Sequence, residues 1–152
     1  MPIRIDRAIE INVPLDYAFQ VSNDLRQWPL IMSEYRKVSI LRTEGRKIWF
    51  KISHTSGQEW ISWRVIVPEV PFAYAERFDP LTPFEYMHIL WTYHRSSLGT
   101  RMSWSMQCVV EDAGREEEIQ TYLESHTAEN QQKMKEYLEE SWKLPREVHS
   151  DD

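Results

Sequence analysis

A tryptophan, a serine and an arginine stand at two-residue spacing in the segment 58–68. Trp60, Ser62, Arg64 and Ile66 share one side of an extended chain there, and Ile61, Trp63, Val65 and Val67 share the other. Periodicity alone leaves open which side faces the interior. If the first set does, a guanidinium and a hydroxyl lie beside an indole in an enclosed site. The guanidinium stays charged there, since its pKa exceeds about 12. It could hold an enolate or carbonyl oxygen and steady developing negative charge. If the second set faces inward, Arg64 is an ordinary outward arginine and Trp63 fills the core.

Two further polar residues, His126 and Asn130, lie four apart within an apolar stripe and so stack on one helix face. A buried polar group without a partner costs roughly 1–3 kcal/mol. An inward position therefore implies partners, water or a ligand, whereas at the stripe's edge both would touch solvent.

Other chemistries find little support. His88 and His94 share a strand face but stand six residues apart with no carboxylate to complete a ligand set, so no metal is expected. There is no GxSxG elbow. The four glycines, at 45, 57, 99 and 114, cannot form a GxGxxG or a P-loop. The lone cysteine, Cys108, falls within an apolar alternation and reads as a buried core thiol, unable to form an internal bridge or a structural zinc site. The pairs Glu116–Glu118 and Glu139–Glu140 read as solvation of a helix surface.

The elements that must position these residues are punctuated by glycine and proline. Residues 3–13 alternate as a half-buried strand, with Ile3, Ile5, Ile9, Ile11 and Val13 on one side. Pro14 fits a first helical position, opening a short helix over LDYAFQVSND, and a second brief helix covers about 25–32. Strands follow at about 35–44, 46–54, 58–68, 72–79, 84–95 and 100–110. Beyond Gly114 the period changes to three and four residues, predicting one amphipathic helix of roughly 27 residues that stops before Pro145. This is an α+β plan: a curved antiparallel sheet of about seven strands around one long C-terminal helix, with two short helices between strands 1 and 2. One domain over 1–145 and a frayed tail at 146–152 are expected.

A sheet curved around a single helix leaves a cavity between them. Trp28, Tyr35, Trp49 and Trp104, with Met87, Ile89, Trp91 and Tyr93, would give it an aromatic, methionine-rich wall suited to a flat, extended, partly polar ligand. Large rings filling a solid core are the alternative. Seven Trp and seven Tyr against four Gly in 152 residues make the ring surplus plain. The net charge of −6 disfavours nonspecific binding of nucleic acid or anionic membranes. With no apolar run near the roughly 18 residues of a membrane span and no signal-peptide core, a soluble cytoplasmic protein is expected. The charge is split: 13 acids and 5 bases from residue 111 onward, 11 acids and 13 bases before it. Arg36, Lys37, Arg42, Arg46, Lys47 and Lys51 crowd one stretch, which reads either as a solvated hairpin face or as a docking patch for an acidic partner.

The runs VPLDYAFQVSND-LRQWP, SEY, EWISWR, PFEYMHILWTYH and GTRMSW, in that order over about residues 5–142, resemble the single-domain aromatase/cyclases of bacterial aromatic polyketide synthesis. The likeness is to the tetracenomycin and spore-pigment cyclase type, within the Bet v 1/START-like (SRPBCC) superfamily of helix-grip folds. It implies a linear poly-β-ketone, carried on acyl carrier protein, that undergoes intramolecular aldol condensation and then dehydration to an aromatic ring. It implies no cofactor. It also points Trp60, Ser62 and Arg64 inward. Arg64 would hold and help protonate the enolate or carbonyl oxygen, Ser62 would position it or a water, and Tyr35 would be the partner acid/base. Trp28, Phe84, Met87 and Trp91 would form the walls. Arg77, nearer the entrance, would meet the phosphopantetheine or a distal carbonyl. His126 and Asn130 align only loosely with the family's helix, as further substrate contacts. Trp63 departs from the acidic residue expected there, leaving an apolar outer face suited to a homodimer contact or a partner. A noncatalytic carrier of a quinone or lipid, or a purely structural interaction protein, would use the same fold differently.

Overall fold

Alternation along the first strand sets the inside of the molecule. In β1 (Ile3–Ile11), Ile3, Ile5 and Ile11 are buried, while Arg4 and Asp6 face solvent. The chain then turns through α1 (Leu15–Ser22), which buries Leu15, Ala18, Phe19 and Ser22. A single 3-10 turn, Leu25–Gln27, runs into the one-turn helix α2 (Trp28–Ile31). Six strands follow: β2 (Tyr35–Glu44), β3 (Lys47–His54), β4 (Glu59–Val67), β5 (Phe72–Asp79), β6 (Phe84–Arg95) and β7 (Thr100–Val110). The last element is α3 (Glu116–Trp142), of 27 residues. This computed structural model describes residues 2–143; the tail expected at 146–152 lies outside them.

The seven strands form one antiparallel sheet in the order β1-β7-β6-β5-β4-β3-β2. From β2 to β7 each strand pairs with the next through a short connection, while β1 pairs with β7 and is joined to β2, at the opposite edge, by the segment that holds α1 and α2. The long helix packs on β1, β7, α1 and α2, burying Ile119, Met134 and Leu138. A polar anchor fixes it: Gln131, 1% exposed, donates from Nε2 to the carbonyl oxygens of Arg7 (3.1 Å) and Met102 (3.3 Å). Each edge of the β1–β7 pair is thereby tied to the helix. The arrangement is the helix-grip plan. Among the described residues, no helix is long and apolar enough to cross a membrane.

Strand phase corrects one expectation. Trp49 does not join the inner wall. Phe50 pairs with Ser62 and both line the interior cavity, so Trp49, one residue out of phase, pairs with Trp63 on the outer face. The Lys47 ammonium lies 4.8 Å from the Trp49 ring and 4.3 Å from the Trp63 ring, and the Arg42 guanidinium 4.7 Å from Trp49. Tyr74 abuts Trp63 at 5.7 Å. Outer-face tryptophans are thus roofed by cations of the basic stretch. Much of that stretch also has local partners: Arg42 bonds Glu44, Arg46 bonds Glu69, and Lys51 stands 3.9 Å from Glu59.

The turn from β6 to β7 requires glycine. Gly99 has φ +149°, and a Cβ there would lie 2.6 Å from the Val13 carbonyl oxygen and 2.9 Å from that of Ile11. Backbone, not a flexible side chain, occupies the space. Gly99→Ala is expected to cost roughly 1–3 kcal/mol through strain, read as a lower urea midpoint at unchanged slope; an unchanged midpoint would show that this contact is soft.

Candidate active site

Between α3 and the inner face of the sheet lies a cavity of about 830 Å³, a size common for small-molecule sites. Trp60, Ser62 and Arg64 of β4 all reach it, as do Trp28 and Tyr35. So do Arg77 of β5, Phe84, Met87 and Trp91 of β6, and His126 and Asn130 of α3. The two phases of β4 are therefore resolved in favour of the arginine side. The register explains how: Ser62 faces Phe50 on one neighbouring strand and Arg77 on the other, while Arg64 faces Ile48 and Ala75. Small Ala75, 3% exposed, leaves room for the guanidinium beside it.

Arg64 is 1% exposed. Its guanidinium sits 4.2 Å from the Trp91 ring centre and 5.2 Å from that of Trp28. Nε and Nη2 both donate to Asn23 Oδ1, at 3.1 and 2.9 Å. Among the described residues no carboxylate pairs with it. Burial pulls its pKa down to about 10, so it remains a cation at neutral pH. Two of its five N–H groups serve Asn23, and the rest can serve a ligand.

Asn23 was not singled out by sequence reasoning, although it lies in the quoted VSND run. It is held in turn: Nδ2 donates to the Phe19 carbonyl (2.9 Å) and the Tyr93 hydroxyl (3.1 Å). The Ser22 hydroxyl donates to the Phe19 carbonyl at 3.3 Å, which leaves the Tyr93 O–H to donate to Ser22 Oγ at 2.6 Å. The Trp28 indole N–H donates to the Ser22 carbonyl at 3.0 Å. The end of α1 is thus a hub that orients both the guanidinium and one of its flanking rings.

Nearer the mouth, Arg77 lies 4.8 Å from the Trp60 ring and 5.3 Å from Phe84, and donates to the carbonyls of Pro80 and Thr82, each at 2.9 Å. Tyr35 packs against Trp28 and Trp60. Burial above all, then the neighbouring Glu34 carboxylate, pushes its phenol pKa up, so it is a proton donor at neutral pH and not a base. Asn130, 8% exposed, donates to Glu34 Oε1 at 2.8 Å. His126 is more open and stacks on Tyr122 at 3.8 Å. Both therefore have protein partners at the cavity wall. Glu34 and His54 also line the cavity and were missed. Glu34 precedes a strand, so alternation carries no signal for it, whereas His54 continues the inward phase of Phe50 and Ile52, the signal that could have found it. Cys108 is fully buried, and burial pushes its thiol up to about 11, which removes it as a nucleophile. Among the described residues, no three His, Cys, Asp or Glu side chains are set to hold a metal ion.

Chemically, the arrangement offers a fixed cation with spare N–H donors in a ring-walled chamber, which suits an oxyanion. Asn23→Ala would strand the guanidinium, while the Tyr93 hydroxyl keeps its bond to Ser22. A loss of roughly 1–3 kcal/mol for the stranded group is expected on urea unfolding; an unchanged midpoint would remove Asn23 as the anchor.

Comparison with known proteins places these features. Residues 2–139 match the family model described as "Polyketide cyclase / dehydrase and lipid transport". A protein of Streptomyces cyaneus whose name assigns it provisionally as a polyketide cyclase is 32% identical over 120 residues, covering 72% of this chain and 78% of its own. In fold, the chain is similar to the Zhui aromatase/cyclase of Streptomyces sp. R1128, with a TM-score of 0.81 at 16% identity over 95% of this chain and 98% of the other. It matches 53% of the di-domain aromatase/cyclase StfQ of the steffimycin pathway, over 95% of this chain, with a TM-score of 0.81 at 11% identity. The match to the family model spans nearly the whole chain and includes every residue of the cavity wall, and the chain belongs to that polyketide cyclase/dehydrase and lipid transport family.

Proposed function

We propose that this protein is a polyketide aromatase/cyclase that needs no cofactor, acting on a linear poly-β-ketone presented by acyl carrier protein. The observation that carries the reading is Arg64: a buried cation, held by a neutral amide and without a carboxylate partner among the described residues, facing a ring-lined cavity. A noncatalytic carrier of a quinone or lipid has no use for such a charge, which must be desolvated at a cost. A purely structural role fits poorly as well, because Trp91 stacks on Trp104 and Trp60 meets Tyr35 and His54, leaving space between them.

In this reading the chain bends against Trp28, Trp60, Phe84, Met87 and Trp91. A methylene between two carbonyls loses a proton, and Arg64 holds the enolate oxygen, with Ser62 beside it and the Tyr35 hydroxyl as a further donor. The enolate carbon bonds to a ketone carbon, whose oxygen takes up a proton. The resulting alcohol then loses water. A poly-β-ketone has acidic methylenes and several ways to close, so the protein's main contributions are one enforced bend and one steadied oxyanion. Excluding bulk water suppresses competing reactions. Arg77, fixed at the mouth by Pro80 and Thr82, would meet the phosphopantetheine or a distal carbonyl. His126 and Asn130 complete the helix side of the wall. The basic, tryptophan-bearing outer face at Arg42 and Lys47 offers an acidic carrier protein a landing surface.

The decisive experiment adds the protein to a minimal polyketide synthase that makes nonreduced chains. One cyclised aromatic product should come to dominate; a product distribution identical to that without protein would favour the carrier. Arg64→Ala should restore shunt products, with a loss of cyclisation rate on the order of 10²–10³-fold, the range for removing one oxyanion donor. Retained product control in that variant would take Arg64 out of the mechanism. Reversing charge at Arg42 and Lys47 together should weaken carrier-protein binding and flatten its salt dependence, and unchanged affinity would leave those residues as a solvated face.

A further inference from the structure

Glu34, one residue before β2, places its carboxylate where two other elements, β3 and α3, converge. Asn130 of α3 donates to Oε1 at 2.8 Å. Nε2 of His54, at the end of β3, lies 3.7 Å from Oε2, and Nε2 of His126 on α3 lies 3.6 Å from the same oxygen. The side chains of Glu34 and His54 are 18% and 15% exposed, that of His126 35%, so the cluster runs from the cavity wall to its mouth.

Hydrogen-bond directions locate the protons. The Ser56 backbone N–H donates to His54 Nδ1 at 3.0 Å, so that nitrogen carries its lone pair and the ring proton sits on Nε2. This Nε2–H is buried and unpartnered, aimed at Glu34 from beyond hydrogen-bond length. A ring that ligates a metal through Nε2 needs its proton on Nδ1, so this tautomer does not suit a two-histidine, one-carboxylate metal set. His126 Nδ1 stands 2.9 Å from the Tyr122 carbonyl oxygen, which can only accept, so Nδ1 is protonated. A neutral His126 would then turn a lone pair toward Glu34 Oε2. Two electron-rich atoms facing one another repel, and the pair is favourable only with a proton between them. That proton makes either an imidazolium against a carboxylate or an imidazole against a carboxylic acid. The other groups facing the cluster are the Tyr35 and Tyr122 phenols, which stay protonated, and on α3 Glu129, whose partner Lys133 (3.0 Å) also reaches Ser33.

We infer that Glu34 and His126 form the proton relay of the cavity, with the Nε2–H of His54 turned toward the carboxylate from 3.7 Å. This rests on the cyclase reading and deepens it. Arg64 holds the oxyanion; the relay moves the protons. Starting as carboxylate and imidazolium, Glu34 takes the methylene proton as the enolate forms. It returns that proton to the alkoxide once the carbon–carbon bond has closed. In dehydration Glu34 removes a ring proton, the C–O bond breaks, and the His126 imidazolium protonates the departing hydroxyl to give water. The Glu34 proton then passes to His126 and restores the pair. The net change is loss of one water, and the open position of His126 lets the pair equilibrate with solvent.

The test uses the full chain and acyl-carrier-bound poly-β-ketone from the minimal synthase. Glu34→Gln keeps the acceptor for Asn130 but cannot take a proton. It should slow cyclisation at least about 100-fold, the lower bound for a general base, with the acidic limb of the pH–rate profile abolished. His126→Gln should close the ring yet accumulate the hydroxylated, undehydrated product. Independently of activity, nitrogen NMR of the wild-type imidazoles should show His54 protonated on Nε2 and His126 protonated on Nδ1. A Glu34→Gln rate within threefold of wild type, or a His126 whose Nδ1 carries no proton, overturns the relay. If instead the wild type leaves the product profile unchanged, the cyclase reading fails, while the imidazole nitrogen spectra still decide whether His126 and His54 carry their protons as the relay requires.

Discussion

The charge on Arg64 is the constraint around which the rest is arranged. Burying a guanidinium without a carboxylate costs several kcal/mol in principle, and the fold offsets this with groups that carry no net charge. One amide oxygen accepts two N–H bonds, and two indole faces supply their quadrupoles. A carboxylate at position 23 would hold the guanidinium more strongly and would also neutralise it, leaving nothing for a ligand. Asn23 holds geometry while sparing charge. The same need explains why the end of α1 is so heavily hydrogen-bonded: Ser22, Tyr93 and the Phe19 carbonyl exist in one network whose output is the direction of the Asn23 amide.

Reading order along the chain made most of this fold legible, for a specific reason. From β2 onward each strand pairs with the next, so turn chemistry at Gly45, Gly57 and Gly99 translates directly into that part of the topology. The 27 residues of α3 carry a period that no strand could accommodate. Phase was harder. On β4 both sides bear a tryptophan, and a two-residue period is silent about which side is wet. Only pairing with Phe50 and Ala75 decides it, and that is information held on other strands. Trp49 failed for the same reason: a large ring is as comfortable beneath Lys47 and Arg42 as in a core.

The site was legible where its residues sit on regular elements and silent where they do not. Arg64, Ser62, Met87 and Trp91 inherit their direction from a strand, and Asn130 from a helix stripe. Asn23 closes a helix and Glu34 precedes a strand. At such positions the side chain's direction is set by the local turn, so no period can reveal it. These are also the residues that assemble the site's polar contacts, since loop ends can aim a side chain that a regular element would commit to one face.

The helix completes the argument, because it serves both the core and the chemistry with one stripe. Met134 and Leu138 seal its C-terminal half against α1 and β1, while His126 and Asn130, two turns earlier, meet Glu34 across the cavity. Between them Gln131 spends its amide on the backbones of β1 and β7. That bond sets the rotation of the helix about its axis. A turn of one residue, about 100° in an α-helix, would swing His126 and Asn130 away from Glu34 and expose Met134. The polar and apolar halves of α3 are therefore locked to a single rotation, and the position of the cluster at the cavity wall follows from the packing of the core.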